Sequence, residues 1–267
     1  MKPESAYISF LKLYTKLFAH TTFSKWNQFL VTIGLHGLGI DNYYDDNLSG
    51  ERYVLVERIK KLKKPLVIDV GAHIGDSAML ILSINPSAQI FSFEPNPKTF
   101  KKLKQNSRKY HYNPFNLALG NREGSIFLYD AKNSGSSPFS TVYPSVLESI
   151  HHSTASKYTV KMTTLDKFYE KYIKSGNIDF LKIDVEGNEL KVLEGAKILI
   201  KKGKITCIQF EFNAMNRFSR TFFIDLENIL KNYNLYRLLP SGMLKVNSDS
   251  LLNSEIFLFQ NILAIHK

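Results

Sequence analysis

The stretch Val67-Ile68-Asp69-Val70-Gly71-Ala72-His73-Ile74-Gly75-Asp76 decides how this chain folds. Its first residues are branched and apolar around one aspartate, the pattern of a strand buried on both faces. Gly71 then permits a tight turn, and apolar positions after Asp76 resume at helical spacing. The next apolar run, residues 88–93, is followed by Glu94. Strand, glycine turn, helix, strand and carboxylate is the order in which α/β proteins hold an adenosine-containing ligand. The dinucleotide fingerprint G-x-G-x-x-G is absent, because Gly71 is followed by Gly75 at spacing four. An aspartate two residues before the first glycine suits S-adenosylmethionine better than NAD. A carboxylate at position 94 would repel the ribose phosphate of NADP.

Working outward, the spacing predicts strands over 66–70, 88–93, 115–119, 125–129, 178–185 and 205–212. Further strand-like pieces fall at 158–162, 235–239, 244–246 and 261–265. Helices are predicted over 76–84, 97–110, 165–173, 188–200 and 222–232, with Thr164 as an N-cap. Residues 5–33 carry Phe10, Leu13, Tyr14, Leu17 and Phe18 at helical spacing, a helical extension. Residues 34–50 read as a loop, and Ser49 as the cap of a helix over 51–63 that Pro65 closes. Alternation of strand and helix predicts an α/β protein, a mostly parallel sheet with helices on both faces. The expected division is 1–64, N-terminal helical extension and cap, and 65–267, ligand-binding domain. Residues 130–156 form a long polar segment holding Asn133-Ser134-Gly135-Ser136-Ser137-Pro138, a loop of functional length.

The 267 residues suffice for one large α/β domain, and 44% hydrophobic residues supply its core. The single cysteine, Cys207, sits in an apolar run and fits a reducing compartment, so a cytoplasmic location is expected. The start lacks the basic-then-apolar layout of a secretory signal. No apolar run reaches the roughly 18–20 residues of a spanning helix. The net charge of +11 raises the question of nucleic acid. Lysines are spread over helix-like segments such as Lys60-Lys61-Leu62-Lys63-Lys64, with no aromatic-interleaved basic patch, so solvated faces explain them better. The charge could still draw in an anionic substrate such as a sugar nucleotide.

Several strings in this order and spacing resemble the FkbM family of S-adenosylmethionine-dependent methyltransferases. They are Val67 to Gly75, Phe93-Glu94-Pro95-Asn96-Pro97, Asn116-Leu117-Ala118-Leu119-Gly120, Thr164-Leu165-Asp166 and Leu181-Lys182-Ile183-Asp184-Val185-Glu186-Gly187. The likeness runs from Ser49-Gly50-Glu51 to Asn261-Ile262-Leu263-Ala264, most of the chain. It implies a class I (Rossmann-like) methyltransferase fold of about seven strands, S-adenosyl-L-methionine as cofactor, and O-methylation, often of sugars. By this resemblance Asp69, Gly71 and Gly75 cradle the methionine portion, with Ala72 and His73 also at the cofactor. Glu94 holds the ribose, and Pro95 and Asn96 beside it are also expected at the cofactor. Asn116, Ala118 and Leu119 border the adenine. His73 departs from the family, which commonly has asparagine there.

Methyl transfer from a sulfonium requires positioning and, for a sugar hydroxyl, a group to take the proton. Period-2 geometry puts Lys182, Asp184 and Glu186 on one face of their strand, and Gln209, Glu211 and Asn213 on one face of the next. One of Asp184, Glu186 and Glu211 is expected to be the base, tuned by Lys182. Asp184 also borders the cofactor. No metal site is predicted, since the adjacent His151 and His152 do not converge on one point. A nucleic-acid amino-methylase would carry Asp/Asn-Pro-Pro-aromatic where Asp184-Val185-Glu186-Gly187 stands, and a cytosine C5 enzyme would need Pro-Cys. The expected acceptor is a hydroxyl of a nucleotide-linked sugar or of a surface glycan such as capsule or lipopolysaccharide. The alternatives are a small-molecule N-methyltransferase and a non-catalytic Rossmann-like binding module.

Overall fold

The computed structural model describes residues 3–131, 140–150, 152, 155–246 and 254–267. The predicted loop at 133–138 and His151 lie outside the described residues. The N-terminal part holds α1 (Pro3–Phe18), α2 (Ser24–Gly37) and α3 (Glu51–Ile59). Then come β1 (Leu66–Val70), α4 (Asp76–Ile84), β2 (Gln89–Phe93), α5 (Pro97–Tyr110), β3 (Asn113–Phe115), β4 (Ala118–Leu119) and β5 (Gly124–Ala131). Next are α6 (Pro144–Ser149), β6 (Ala155–Thr163), α7 (Leu165–Phe168), β7 (Ile178–Ile183), α8 (Glu189–Glu194) and α9 (Lys197–Lys201). The chain closes with β8 (Ile205–Phe212), α10 (Asn216–Ser219), α11 (Phe223–Ile229), β9 (Tyr233–Leu239), β10 (Gly242–Lys245) and β11 (Gln260–His266).

The main sheet has eight strands in the order β10-β9-β11-β8-β7-β1-β2-β3. The five strands from β8 to β3 are mutually parallel, and β11 runs against β8 and β9. The expected sheet of about seven strands is thus present, with β10 added as the outer arm of a hairpin. Alternate strand residues feed two cores. Ile68, Val70, Leu181, Ile183, Ile208 and Phe210 meet Leu165, Phe168, Val192 and Phe223 on one face. Val67, Phe180, Cys207 and Leu263 meet Val54, Ile59, Ala78, Ile81 and Leu103 on the other. The helix α3, counted with the N-terminal extension by sequence, therefore packs into the body.

Several local expectations change. The run 115–119 is two strands, β3 in the main sheet and β4 in a separate three-stranded sheet of order β4-β6-β5. The predicted strand 125–129 lengthens to β5 because it pairs along its whole length with β6. Ser49 does not cap α3. Gly50, at φ 80°, is the N-cap residue, while the Ser49 Oγ accepts the Glu51 N–H at 3.5 Å and donates to Glu51 Oε2 (3.1 Å). Thr164 does cap α7, accepting from the Lys167 N–H (3.2 Å), but that helix passes into a π-helical turn at Tyr169–Ile173. The predicted helix 188–200 is split at Gly195. Asp166, far off in sequence, accepts the N–H groups of Ile198 and Leu199 (both 3.0 Å) and starts α9 anew.

Candidate active site

Strand order reverses between β7 and β1, and ligands of open α/β sheets bind beyond the strand ends at such a point. A cavity of about 770 Å³ lies there. Val70 and Gly71, Phe93 and Glu94, Lys182 and Asp184, and Gln209 and Glu211 bring four successive strand ends of the main sheet to it. Asp41, Tyr43, Asp46 and Glu51 enter from the N-terminal segment, Ile126 and Leu128 from β5, and Leu258 and Phe259 from before β11.

Gly71 makes this convergence possible. Its φ is +82°, its N–H donates to the Phe93 carbonyl (3.0 Å), and a Cβ there would stand 1.7 Å from the Asp184 carbonyl oxygen. Only glycine lets β1 turn this closely against β7. Ala72, His73, Pro95, Ala118 and Leu119 line the cavity with it. Asp69, Gly75, Asn96 and Asn116, also expected at the cofactor, are not among the lining residues. They build the wall from behind. Asn116 Nδ2 donates to the carbonyls of Glu94 and Pro95 (2.9 and 3.0 Å). Asn96 caps α5 through its side chain and donates to Asp130 Oδ2 and Ser140 Oγ. Asp69 is fully buried beside Ser92.

Glu94 is pinned by two backbone donors, the N–H of His73 (3.0 Å) and of Asn96 (2.7 Å). Burial outweighs both and pushes its carboxyl up to about 8. His73 sits at φ 48° with its Nε2 buried and without a partner, and burial holds its pKa below the usual value. Its backbone N–H serves Glu94, a task that does not depend on the imidazole.

On β7, the neighbour of β1, Lys182 Nζ lies 3.0 Å from Asp184 Oδ2 and 3.9 Å from Glu51 Oε1. Burial works against the ammonium, yet Asp184, Glu51, Asp69 and Glu211 together raise its pKa. β7 ends at Ile183, so strand geometry does not reach Glu186, which sits at φ 53°. Glu186 still faces the cavity, and its Oε2 is buried with no partner. Burial first, then Asp184, raises both the Glu186 and Glu211 carboxyls well above the carboxylate range. Gln209 Nε2 donates to Glu51 Oε1 (2.8 Å), and Asn213 Nδ2 to Glu211 Oε2 (3.2 Å).

Sequence reasoning missed Glu51, Asp41 and Asp46, whose nearness to the strand ends is a tertiary contact. It also missed Glu189, which is buried, accepts the N–H groups of Gly187 and Val185 and so shapes the turn after β7.

These carboxyls predict a pH dependence. Burial raises Asp69 to about 6, Glu189 to about 7 and Glu94 to about 8. A proton bound more tightly in the folded chain stabilises it fully below the unfolded carboxylate pKa, and that stability is lost as pH rises through the folded value. The free protein should therefore melt roughly 5–10 °C lower at about pH 8 than at about pH 5. Calorimetric scans across that range check this, and a melting temperature that rises with pH would contradict it.

The cavity's features fit S-adenosylmethionine. Its volume is in the small-molecule range of ~300–1,000 Å³. Gly71 opens the backbone to close approach, Glu94 offers an anchored carboxyl for ribose hydroxyls, and Leu117 and Leu119 offer apolar contact. Asp41, Asp46, Glu51, Asp184, Glu186 and Glu211 against the single lysine Lys182 suit a cationic sulfonium. The sheet order is that of the class I S-adenosylmethionine-dependent methyltransferases. Residues 69–238 match the methyltransferase FkbM domain, and the chain belongs to that family.

Among characterised relatives, it is 31% identical over 156 residues to the hexuronic acid methyltransferase AglP of Haloferax volcanii, covering 56% of this chain and 57% of that protein. It is 24% identical over 155 residues to the 2-O-methyltransferase NoeI of Sinorhizobium fredii, covering 55% and 63%. The matches thus span about three-fifths of each relative's length. Among solved structures, the precorrin-6y C5,15-methyltransferase of Geobacter metallireducens superposes with a TM-score of 0.42 at 9% identity, over 81% of this chain and 87% of that one.

Proposed function

We propose that this protein is an S-adenosylmethionine-dependent O-methyltransferase acting on a sugar hydroxyl. The observation that carries the reading is one cavity whose lining joins the glycine turn and the pinned Glu94 to the carboxyl cluster of Asp184, Glu186 and Glu211. The names of AglP and NoeI, a hexuronic acid methyltransferase and a 2-O-methyltransferase, support a sugar acceptor.

S-adenosylmethionine, when bound, supplies a methyl already activated on a sulfonium. In this reading Asp69, Gly71, Ala72, His73 and Gly75 form or back the methionine side. Glu94, Pro95 and Asn96 hold or back the ribose, and Asn116, Ala118 and Leu119 the adenine. Glu186 takes the acceptor proton, because its Oε2 has no protein partner and faces the cavity. A carboxyl raised by burial is a strong base once ionised, and a nearby cation favours that ionised form. Lys182 balances Asp184 and Glu51, and Asp184 borders the cofactor. The acidic lining favours a neutral sugar ring inside the cavity. The phosphates of a nucleotide-linked sugar, or the remainder of a surface glycan such as capsule or lipopolysaccharide, would stay outside. The lone buried Cys207 supports work in a reducing, cytoplasmic setting.

The test is calorimetry with S-adenosylmethionine, then label transfer to a panel of neutral sugars, uronic acids and sugar nucleotides. Glu186→Gln should bind the cofactor as the parent does and lose roughly 100-fold or more in turnover. Failure to bind S-adenosylmethionine or its demethylated product would overturn the reading. Unchanged turnover after alanine replacement at each of Asp184, Glu186 and Glu211 would remove the carboxylate base.

A further inference from the structure

The helices α1 and α2 bury none of their described side chains, although they are rich in large apolar residues. On α1, Tyr7, Phe10, Leu11, Tyr14, Leu17 and Phe18 fall on one face at helical spacing, and Ser9, Lys12 and Lys16 on the other. On α2, Trp26, Phe29, Leu30 and Ile33 make a second stripe. Trp26, Phe29 and Ile33 are each about half exposed, and Phe10 is 62% exposed. The elbow between the helices is built: Tyr14 Oη donates to Asn27 Oδ1 (2.6 Å), and the Phe18 ring meets Phe23 edge-on at 5.2 Å. The pair is thus a formed two-helix arm. From Pro3 to Gly37 its charged residues are Lys12, Lys16 and Lys25 against the single acid Glu4, in the first turn of α1.

An apolar surface this continuous marks an interaction site. Its charge selects the partner. A second copy of the arm could cover the stripes but would bring only one acid, Glu4, to three lysines. An anionic phospholipid surface satisfies both, with aromatic and aliphatic side chains at the headgroup–acyl boundary and the lysines of the polar face within the negative surface potential of the bilayer. No described helix is long and apolar enough to cross a membrane, so the arm would lie on the bilayer. We propose that α1 and α2 seat this protein on an anionic membrane surface. The arm leads directly to the cavity rim. Ile40 bridges to Gln260, and the lining residues Tyr43 and Leu258 are exposed beside it. The cavity would then open close to the lipid headgroups.

The only tryptophan, Trp26, lies on the proposed membrane face and reports its own insertion. The whole protein is mixed with vesicles of phosphatidylcholine alone or with phosphatidylglycerol added, and flotation and Trp26 emission are read together. Binding with a blue shift is expected on the anionic vesicles, weakening as salt is raised. Lys12→Gln, Lys16→Gln and Lys25→Gln combined should weaken it about a hundredfold. Phe10→Ser with Phe29→Ser should abolish the binding while the melting temperature stays unchanged, since both positions are exposed. No binding, or binding indifferent to lipid charge, would overturn the proposal. So would an arm-dependent dimer in sedimentation velocity, lost in the same Phe variants, without vesicle binding.

Discussion

Gly71→Ala should cost this protein at least about 4 kcal/mol of stability and abolish S-adenosylmethionine binding. The added Cβ would stand 1.7 Å from the Asp184 carbonyl oxygen and 2.8 Å from its carbonyl carbon. Both are backbone atoms in a turn that β7 holds in place, since the Asp184 N–H donates to the Val70 carbonyl (2.9 Å). Relief requires β1 and β7 to part. The φ of +82° adds strain of about 1–2 kcal/mol for any residue with a side chain. Chemical denaturation and cofactor calorimetry give the two readouts. A variant that melts with the parent and binds the cofactor would show that this turn is not what joins the two strands at the site.

Lys182→Met should be nearly as damaging, for an electrostatic reason. Methionine keeps most of the volume but leaves Asp184 and Glu51 without their cation, with Glu211 close by. Removing one partner of a buried ion pair costs about 3–5 kcal/mol. The pH dependence identifies the cause. The lysine's own pKa is raised from an already high value, so its titration lies outside the working range. The change with pH must come from Asp69 and Glu211, buried carboxyls whose raised pKa Lys182 pulls back down, and the deficit should shrink as pH falls and they take up protons. Adding Glu51→Gln to Lys182→Met should recover part of the loss. Urea unfolding near pH 7 and near pH 5 checks both statements, and a deficit independent of pH would point to packing instead.

What could be read from the sequence was what local pattern dictates. The β1 run, the glycine turn and α4 declare themselves within ten residues, because a buried strand and a left-handed turn each demand particular residue types. The parallel sheet follows from the alternation of elements. The split of 115–119 was not legible, because the two short strands differ only in their partners, β2 for one and β6 for the other. The break at Gly195 depends on Asp166 reaching across the fold to cap α9. The Thr164-Leu165-Asp166 string therefore has a structural task, one cap for each of two helices. At the site, the residues on strand ends were legible by their face. Glu51 was not, since its link to Gln209 spans 158 positions.

That link bears on what should be regarded as the working unit. The family match ends at residues 69 and 238, yet the cavity takes Asp41, Tyr43, Asp46 and Glu51 from before it and Leu258 and Phe259 from after it. A fragment trimmed to the matched stretch would keep the glycine turn and Glu94 while leaving Lys182 without one of its two counter-ions and Gln209 without Glu51. The boundary of the family match and the boundary of the cavity are different lines. Grafts, truncations and chimaeras should be drawn along the second.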